Sequence, residues 1–429
     1  MTIPQVSAVS TNGKRAHTSS SGDLFNGFFT SGRKLDFQKS GLIDARGRGV
    51  FGMMAASCAE DVYPYQVPLE SRTGPWVQAE GRRMLMLSSY DYLGLVGDPR
   101  IEKAAVEAVR KYGSATGGAR LLTGTNQLHR QVERDLAAFK GTEAALTFSS
   151  GYVANLAVIA GLLTPQDRVI LDSLSHRSLV DACRLAGVQL QRFRHNDMSS
   201  LRSELQSGQG NRTLIVADGV FSMDGDICPL PDLIDIKKEF GCFLMIDDAH
   251  ATGVLGTHGR GTDEHFGVNT GDVDLWTGSL AKSIPSTGGF IAMSQEVSMY
   301  LQHAASPYIF SAALCPASTG AIREGLAILK AEPQIVSRLR SQAQYFREGL
   351  KDLGYDVGGS QTPIIPVILK DEEAAARFSR RLRDFDILVS PILFPAVALG
   401  TARLRICVTA GHTIADLDFA LDAFRQLRG

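Results

Sequence analysis

Between Asp98 and Gly113 the chain keeps a helical rhythm: in "IEKAAVEAVRKY" apolar residues recur at the spacing of one helix face, with charged residues between them. Asp98 can accept the free N–H groups of a first turn, Pro99 suits the first helical position, and Gly113 can end the last turn. Further along, short runs that are apolar on both faces alternate with helical patterns. "RVILDSL", "TLIVADGVF", "CFLMIDDAH", "VDLWTGSL" and "GGFIAMS" read as strands; "LSHRSLVDACRLAG" and "LPDLIDIKKEF" read as helices. Strands with no polar face must be covered on both sides, so the pattern predicts an α/β fold with a largely parallel sheet between helices. From Ala313 a long helical pattern leads into "TPIIPVILK", "DEEAAARFSRRLRDF", "ARLRICVTAG" and a last amphipathic helix, the composition of a smaller α+β domain. The expected division is an N-terminal arm over 1–77 whose Ser/Thr-rich start is disordered, a large domain with its leading segment over 78–312, and a small C-terminal domain over 313–429. No internal repeat interrupts this organisation.

Composition narrows the partners. With 44 basic and 45 acidic residues the net charge is -1, which gives no field favouring nucleic acid or an anionic membrane. Small molecules and copies of the chain itself remain. The six cysteines (Cys58, Cys183, Cys228, Cys242, Cys315, Cys407) have no CxxC spacing and several sit in apolar runs, so they read as reduced core residues of a cytoplasmic protein that binds no metal. "MTIPQVSAVSTNGKRAHTSSSG" lacks the apolar stretch of a signal peptide, and "VANLAVIAGLL" is too short to span a bilayer. Secretion and membrane insertion are therefore not expected.

Three strand ends carry chemistry. One run ends in Asp247, Asp248 and His250, one runs on to His176, and one ends at Lys282 among small and hydroxylated residues. Each alone has an ordinary explanation as a cap, a surface ring or a solvated lysine. An α/β sheet, however, brings its carboxyl-terminal strand ends to one crevice. Pyridoxal phosphate would use all of them: a lysine amine condenses with its aldehyde, a carboxylate keeps its ring nitrogen protonated, and an imidazole covers the ring. Its phosphate wants backbone N–H groups at a helix N-terminus, which Gly151 and Tyr152 offer at the head of "GYVANLAVIAGLL", with Ser279 close to Lys282 in sequence. The glycine-rich "GVLGTHGRG" follows no strand and has no ribose-binding acid downstream, which argues against a dinucleotide loop.

At these residues the sequence resembles the α-oxoamine synthases, PLP-dependent enzymes of fold type I that include serine palmitoyltransferase and 8-amino-7-oxononanoate synthase. The ordered motifs run from "LMLSSYDYLGL" through "GGARLLTGTNQLHRQVERDLAAF", "FSSGYVANLA", "LDSLSHRSLVDA", "FRHND", "SMDGDICPLPDL", "IDDAHATGVLGTHGRG", "TGSLAKS" and "PYIFSAAL" to "ARLRICVTAGHT". The resemblance implies pyridoxal phosphate linked to Lys282, with Asp247 on the ring nitrogen, His176 stacked on the ring and His250 on the phenolic oxygen. It implies phosphate contacts from Gly151, Tyr152 and Ser279, a hydroxyl from Ser222, and a carboxylate grip from Arg405. The implied reaction is decarboxylative condensation of a small amino acid with an acyl thioester, carried by CoA or acyl carrier protein, giving an α-amino ketone. It further implies a homodimer with shared active sites, in which Ser311 reaches the partner's phosphate. An aminotransferase of the same fold and a non-catalytic partner subunit are the alternatives; the "SMDGD" motif opposes the first and the retained Lys282 the second.

Two departures bear on the amino acid. Tyr90 stands where the oxononanoate and aminolevulinate enzymes have asparagine and so resembles serine palmitoyltransferase. Ala119 stands where the glycine-using enzymes have threonine, which leaves more room beside the substrate α-carbon. Both favour serine or alanine over glycine. A third departure, Pro285 in place of the usual glycine, stiffens the loop after Lys282.

Overall fold

The computed structural model describes residues 63–208 and 211–428; Cys58 and the arm segment expected to be disordered lie outside the described residues. The chain enters through an antiparallel hairpin, β1 (Trp76–Ala79) and β2 (Arg82–Met86). A seven-stranded sheet follows, built from β3 (Ala144–Phe148), β4 (Arg168–Asp172), β5 (Gln189–Phe193), β6 (Thr213–Asp218), β7 (Phe243–Asp247), β8 (Leu275–Ser279) and β9 (Gly289–Met293). Its order is β3-β9-β8-β7-β6-β4-β5, and only β9 runs antiparallel to its neighbours. The link from Leu280 to Gly288 is too short for the crossover that a parallel return needs, so β9 turns back beside β8.

The predicted helix forms as Pro99–Tyr112, with the Asp98 carboxylate accepting the Arg100 N–H and Gly113 leaving at φ 84°. Helix Gly151–Leu162 is apolar nearly all round because it is buried between the sheet and other helices; the Ser150 hydroxyl accepts the Val153 N–H at its start. The smaller unit contains β10 (Ile364–Lys370), β12 (Pro391–Ile392) and β13 (Ala402–Cys407) as an antiparallel sheet, while β11 (Ile387–Leu388) pairs in parallel with β2.

The two cores divide the chain differently from the sequence pattern. Residues 78–86, grouped by pattern with the large domain, pair with β11, and Leu85 and Leu87 join Phe346, Ile365, Leu404 and Phe424 in the small-domain core. Helix Pro316–Ala331, grouped with the small domain, places Ile322, Leu326 and Leu329 in the large-domain core. It runs so close to Pro99–Tyr112 that a Cβ on Gly320 would stand 2.6 Å from the Ala104 carbonyl oxygen. Periodicity locates an apolar face; it does not say which core receives it.

Candidate active site

The carboxyl ends of the parallel strands assemble the polar cluster. Asp218 and Asp247 close β6 and β7 and are paired in register; Lys282 follows β8 and His176 follows β4. Small-domain strand β13 adds Arg405 and Cys407, which two-residue alternation puts on one face. Lys282 keeps some solvent access although protein surrounds it on nearly all sides. Burial pushes its ammonium down to about 8; the nearby Asp247 carboxylate opposes the shift and the Arg405 charge adds to it.

A buried hydrogen-bond chain orients the rest. The Thr277 hydroxyl donates to Asn155 Oδ1 at 2.7 Å, and Asn155 Nδ2 donates both to Asp247 Oδ2 at 2.7 Å and to Ser178 Oγ at 2.8 Å. Ser178 Oγ in turn stands 2.7 Å from His176 Nδ1, which also accepts the Ser178 N–H. Asp247 Oδ1 accepts the Ala249 N–H at 3.0 Å. His250 Nδ1 lies 2.8 Å from the hydroxyl of fully buried Tyr92. Burial holds both His176 and His250 below the ordinary histidine value, and the positive charges of Lys282 and Arg405 push the same way. Both rings are therefore neutral at neutral pH.

Helix Gly151–Leu162 points its N-terminus at β8 and β9. A Cβ on Gly289 would sit 2.4 Å from Gly151 N, so glycine there is a condition of the approach. Ser279, whose Oγ accepts the Ala281 N–H at 3.2 Å, ends β8 beside that turn. The geometry fits pyridoxal phosphate: a largely buried amine of lowered basicity, a carboxylate already held by two donors, and backbone N–H groups at a helix start. Arg405 adds Nε and Nη2 atoms that are buried and have no protein partner. Such a guanidinium is ready for a carboxylate brought by a substrate.

Other predicted residues are placed less centrally. Tyr152 is exposed and its hydroxyl donates to Asp181 at 2.8 Å, so only its main chain faces the helix start. Ser222 is half-buried in the turn after β6. Ala119 forms a bridge with Ala312, the neighbour of Ser311. Tyr90 is exposed and near enough to Arg405 to act on its charge. Pro285 packs toward Gly325 of helix Pro316–Ala331. Sequence reasoning missed Tyr92, Asn155, Ser178, Asp218 and Cys407. Asn155 had a signal, as the one amide in an apolar helix, and Cys407 shares its strand face with Arg405. A groove of about 760 Å³ between helices Pro99–Tyr112, Gln127–Lys140 and Pro316–Ala331 contains none of these residues, so the chemistry rather than the size of a depression locates the site.

A two-layered frame of this kind, with a lysine after one strand and an aspartate closing its neighbour, defines a PLP-dependent enzyme of fold type I. Residues 82–424 match the aminotransferase class I and II family. The chain is 44% identical to the 8-amino-7-oxononanoate synthase of Exiguobacterium sibiricum over 84% of its own length and 93% of the relative's. Its structure superposes with a TM-score of 0.86 on serine palmitoyltransferase from S. paucimobilis with bound PLP, at 33% identity, covering 89% of this chain and 98% of that one. The 8-amino-7-oxononanoate synthase of Francisella tularensis gives 0.70 at 27% identity, covering 80% and 98%. The chain belongs to the aminotransferase class I and II family and, within it, to the α-oxoamine synthases. It is a PLP-dependent C-acyltransferase that condenses an amino acid with an acyl thioester, with loss of carbon dioxide.

Proposed function

We propose that the amino acid is L-alanine or L-serine, held at its carboxylate by Arg405, and that the product is the corresponding α-amino ketone. The observation that carries this reading is the pair of buried, unpartnered Arg405 donors facing the Lys282 cluster. Two buried N–H donors without a protein acceptor are costly unless a ligand supplies one. Ala119 keeps the neighbourhood of the α-carbon open, and Tyr90 gives a second hydroxyl beside Arg405. Either CoA or acyl carrier protein serves as the donor's carrier in this reading.

Pyridoxal phosphate, when bound, supplies an aldehyde for the amine and a protonated ring that accepts electrons. Lys282 Nζ would hold the aldehyde at rest. Freed by the incoming amino acid, its lowered basicity lets it take the α-proton at neutral to mildly basic pH and later return it. Asp247 would hold the ring-nitrogen proton, and Asn155 and Ala249 fix the direction of its oxygens. His176 would cover the ring, held by the Ser178 hydroxyl and N–H at Nδ1 so that its own proton resides on Nε2. The Tyr92 hydroxyl pairs with His250 Nδ1 and fixes the ring, so that His250 Nε2 would meet the phenolic oxygen. Gly151, Tyr152, Ser279 and Ser222 serve the phosphate and its surroundings.

The same reading carries a cytoplasmic homodimer. Free, buried Cys183, Cys228 and Cys407 suit a reducing compartment. Exposed Leu122 and Phe310 stand on two loops joined by the Ala313 N–H to the Gly118 carbonyl, an apolar surface that a second copy would cover. Among the described residues no helix is long and apolar enough to cross a membrane.

Titrating the PLP-loaded protein with glycine, L-alanine, L-serine and L-threonine while recording its visible absorption tests the amino-acid assignment. L-alanine or L-serine should shift the band saturably, and Arg405→Lys should weaken that response by roughly tenfold or more. A saturable response to glycine alone would overturn the choice.

A further inference from the structure

Three carboxylates stand side by side at the ends of β4, β6 and β7, and the protein compensates two of them. Asp172 has a cation: His195 bridges it at 3.0 Å and Asp226 at 2.7 Å. Burial disfavours the His195 charge, but these two hydrogen bonds outweigh it and raise the imidazole to about 10. Asp172 also accepts the Asn196 N–H at 2.9 Å. Asp247 has the Asn155 amide and the Ala249 N–H, and is the carboxylate reserved for a ring-nitrogen proton.

Asp218 has neither. It is buried, and its oxygens share one main-chain donor, the His176 N–H, at 3.2 Å each. The groups facing it are Asp247 on β7, Asp172 on β4, Lys282 after β8 and Cys228 after β6. Two register-paired, buried carboxylates cannot both be ionised cheaply, and the one with the better donor set keeps the charge. Burial and the Asp247 charge act together to raise Asp218 well above the usual carboxylate range. The Ser175 hydroxyl beside it is buried, has no other partner and can donate to the Asp218 carboxyl, which opposes the rise without reversing it.

We propose that Asp218 is a positioning residue held as the neutral acid: it anchors the His176 main chain, and so the ring that covers the cofactor, without placing a second negative charge beside Asp247. One net negative charge then faces the single proton of a bound pyridine nitrogen. This rests on the roles given above to Asp247 and His176. A like charge at Asp218 would weaken Asp247 as the anion of that pair, whereas removing the carboxyl altogether would release the turn that carries His176.

The test is infrared spectroscopy of the PLP-loaded protein at neutral pH. The difference spectrum of wild type minus Asp218→Asn should contain the C=O stretch of a protonated carboxylic acid; loss of carboxylate bands alone would overturn the proposal. Asp218→Ala should weaken PLP binding roughly ten- to hundredfold by orphaning a buried N–H, and Asp218→Asn should recover most of that loss. An Asp218→Asn variant as impaired as Asp218→Ala would mean that the charge is needed, again overturning it. If either variant fails to fold, wild type labelled with carboxyl-¹³C aspartate shows the same acid band, or its absence, across a pH series. The reading of Asp247 has its own arm: Asp247→Asn that still binds PLP and turns over would sink that assignment, whatever the Asp218 band shows.

Discussion

At the scale of single residues, Lys282 concentrates the consequences. Its Nζ both links the cofactor and moves the α-proton in the reaction proposed here, so Lys282→Ala should lose covalent PLP, measured by borohydride trapping and intact mass, together with turnover. A variant with full activity and no trapped adduct would refute the role. The protonation of Lys282 also has a thermodynamic signature. Its folded-state value is lowered from 10.5 to about 8. Between those limits the unfolded chain binds a proton that the folded chain does not, so the lysine's contribution to stability rises with pH across that window and is flat outside it. Melting temperatures of PLP-free wild type and Lys282→Met should therefore differ most below pH 8, in favour of the methionine variant, and converge towards 10.5; a pH-independent difference would contradict the lowered value.

At the scale of elements, the loops that shape the site are held by buried charge and by backbone fit. Lys140, wholly buried at the end of helix Gln127–Lys140, donates to Asp248 at 2.9 Å and Asp263 at 3.1 Å and lies 4.1 Å from the Trp276 ring centre. It also donates to the Arg260 carbonyl, so the glycine-rich segment that invites a dinucleotide reading is a loop fastened by one ammonium. Lys140→Met would leave buried Asp248 without its cation and Asp263 with Arg260 alone, and should cost about 3–5 kcal/mol in urea unfolding. A loss under about 1 kcal/mol would show that the network is dispensable. The turn carrying Ser222 is fixed instead from the small domain: Arg403 donates to Asp224 at 2.6 Å and Thr362 Oγ1 to the Gly225 carbonyl at 2.9 Å. Gly225 has φ +71°, and a Cβ there would meet the Ile364 carbonyl oxygen at 2.0 Å. Gly225→Ala should thus raise the KM for the amino acid more than it lowers the melting temperature, because the contact it breaks joins β10 to the Ser222 turn. An unchanged KM would argue that the turn is uncoupled from the site.

At the scale of the molecule, most of the sheet and the central residues of the site were legible because they obey local rules. Unbroken apolar runs gave β4, β6, β7 and β8, and the polar residues closing them gave Asp247, His176 and Lys282. The partners that tune those residues were not legible, because Tyr92 and His250 meet across 158 positions and Asn155 and Asp247 across 92. No local pattern encodes such meetings. The assembly makes its own prediction: replacing Leu122 and Phe310 together with aspartate should convert a dimer to monomers in sedimentation and reduce turnover if Ser311 serves the neighbouring site. A variant that stays dimeric would place the interface elsewhere.

The pairing of β2 with β11 also sets a schedule for synthesis. Leu85 is matched with Ile387, so the hairpin waits for a strand made roughly 300 residues later. At about 5–20 residues per second, that interval is roughly 15–60 s. Through all of it the edge of β2 is an unpaired ladder, and apolar Leu85 and Leu87 have no core to enter. The large-domain sheet has all its strands at β9 and its covering helix Pro316–Ala331 soon after, so it can close first. The nascent chain is therefore most in need of a chaperone at this hairpin, and a ribosome stalled before residue 387 would hold a finished sheet beside an unsheltered hairpin.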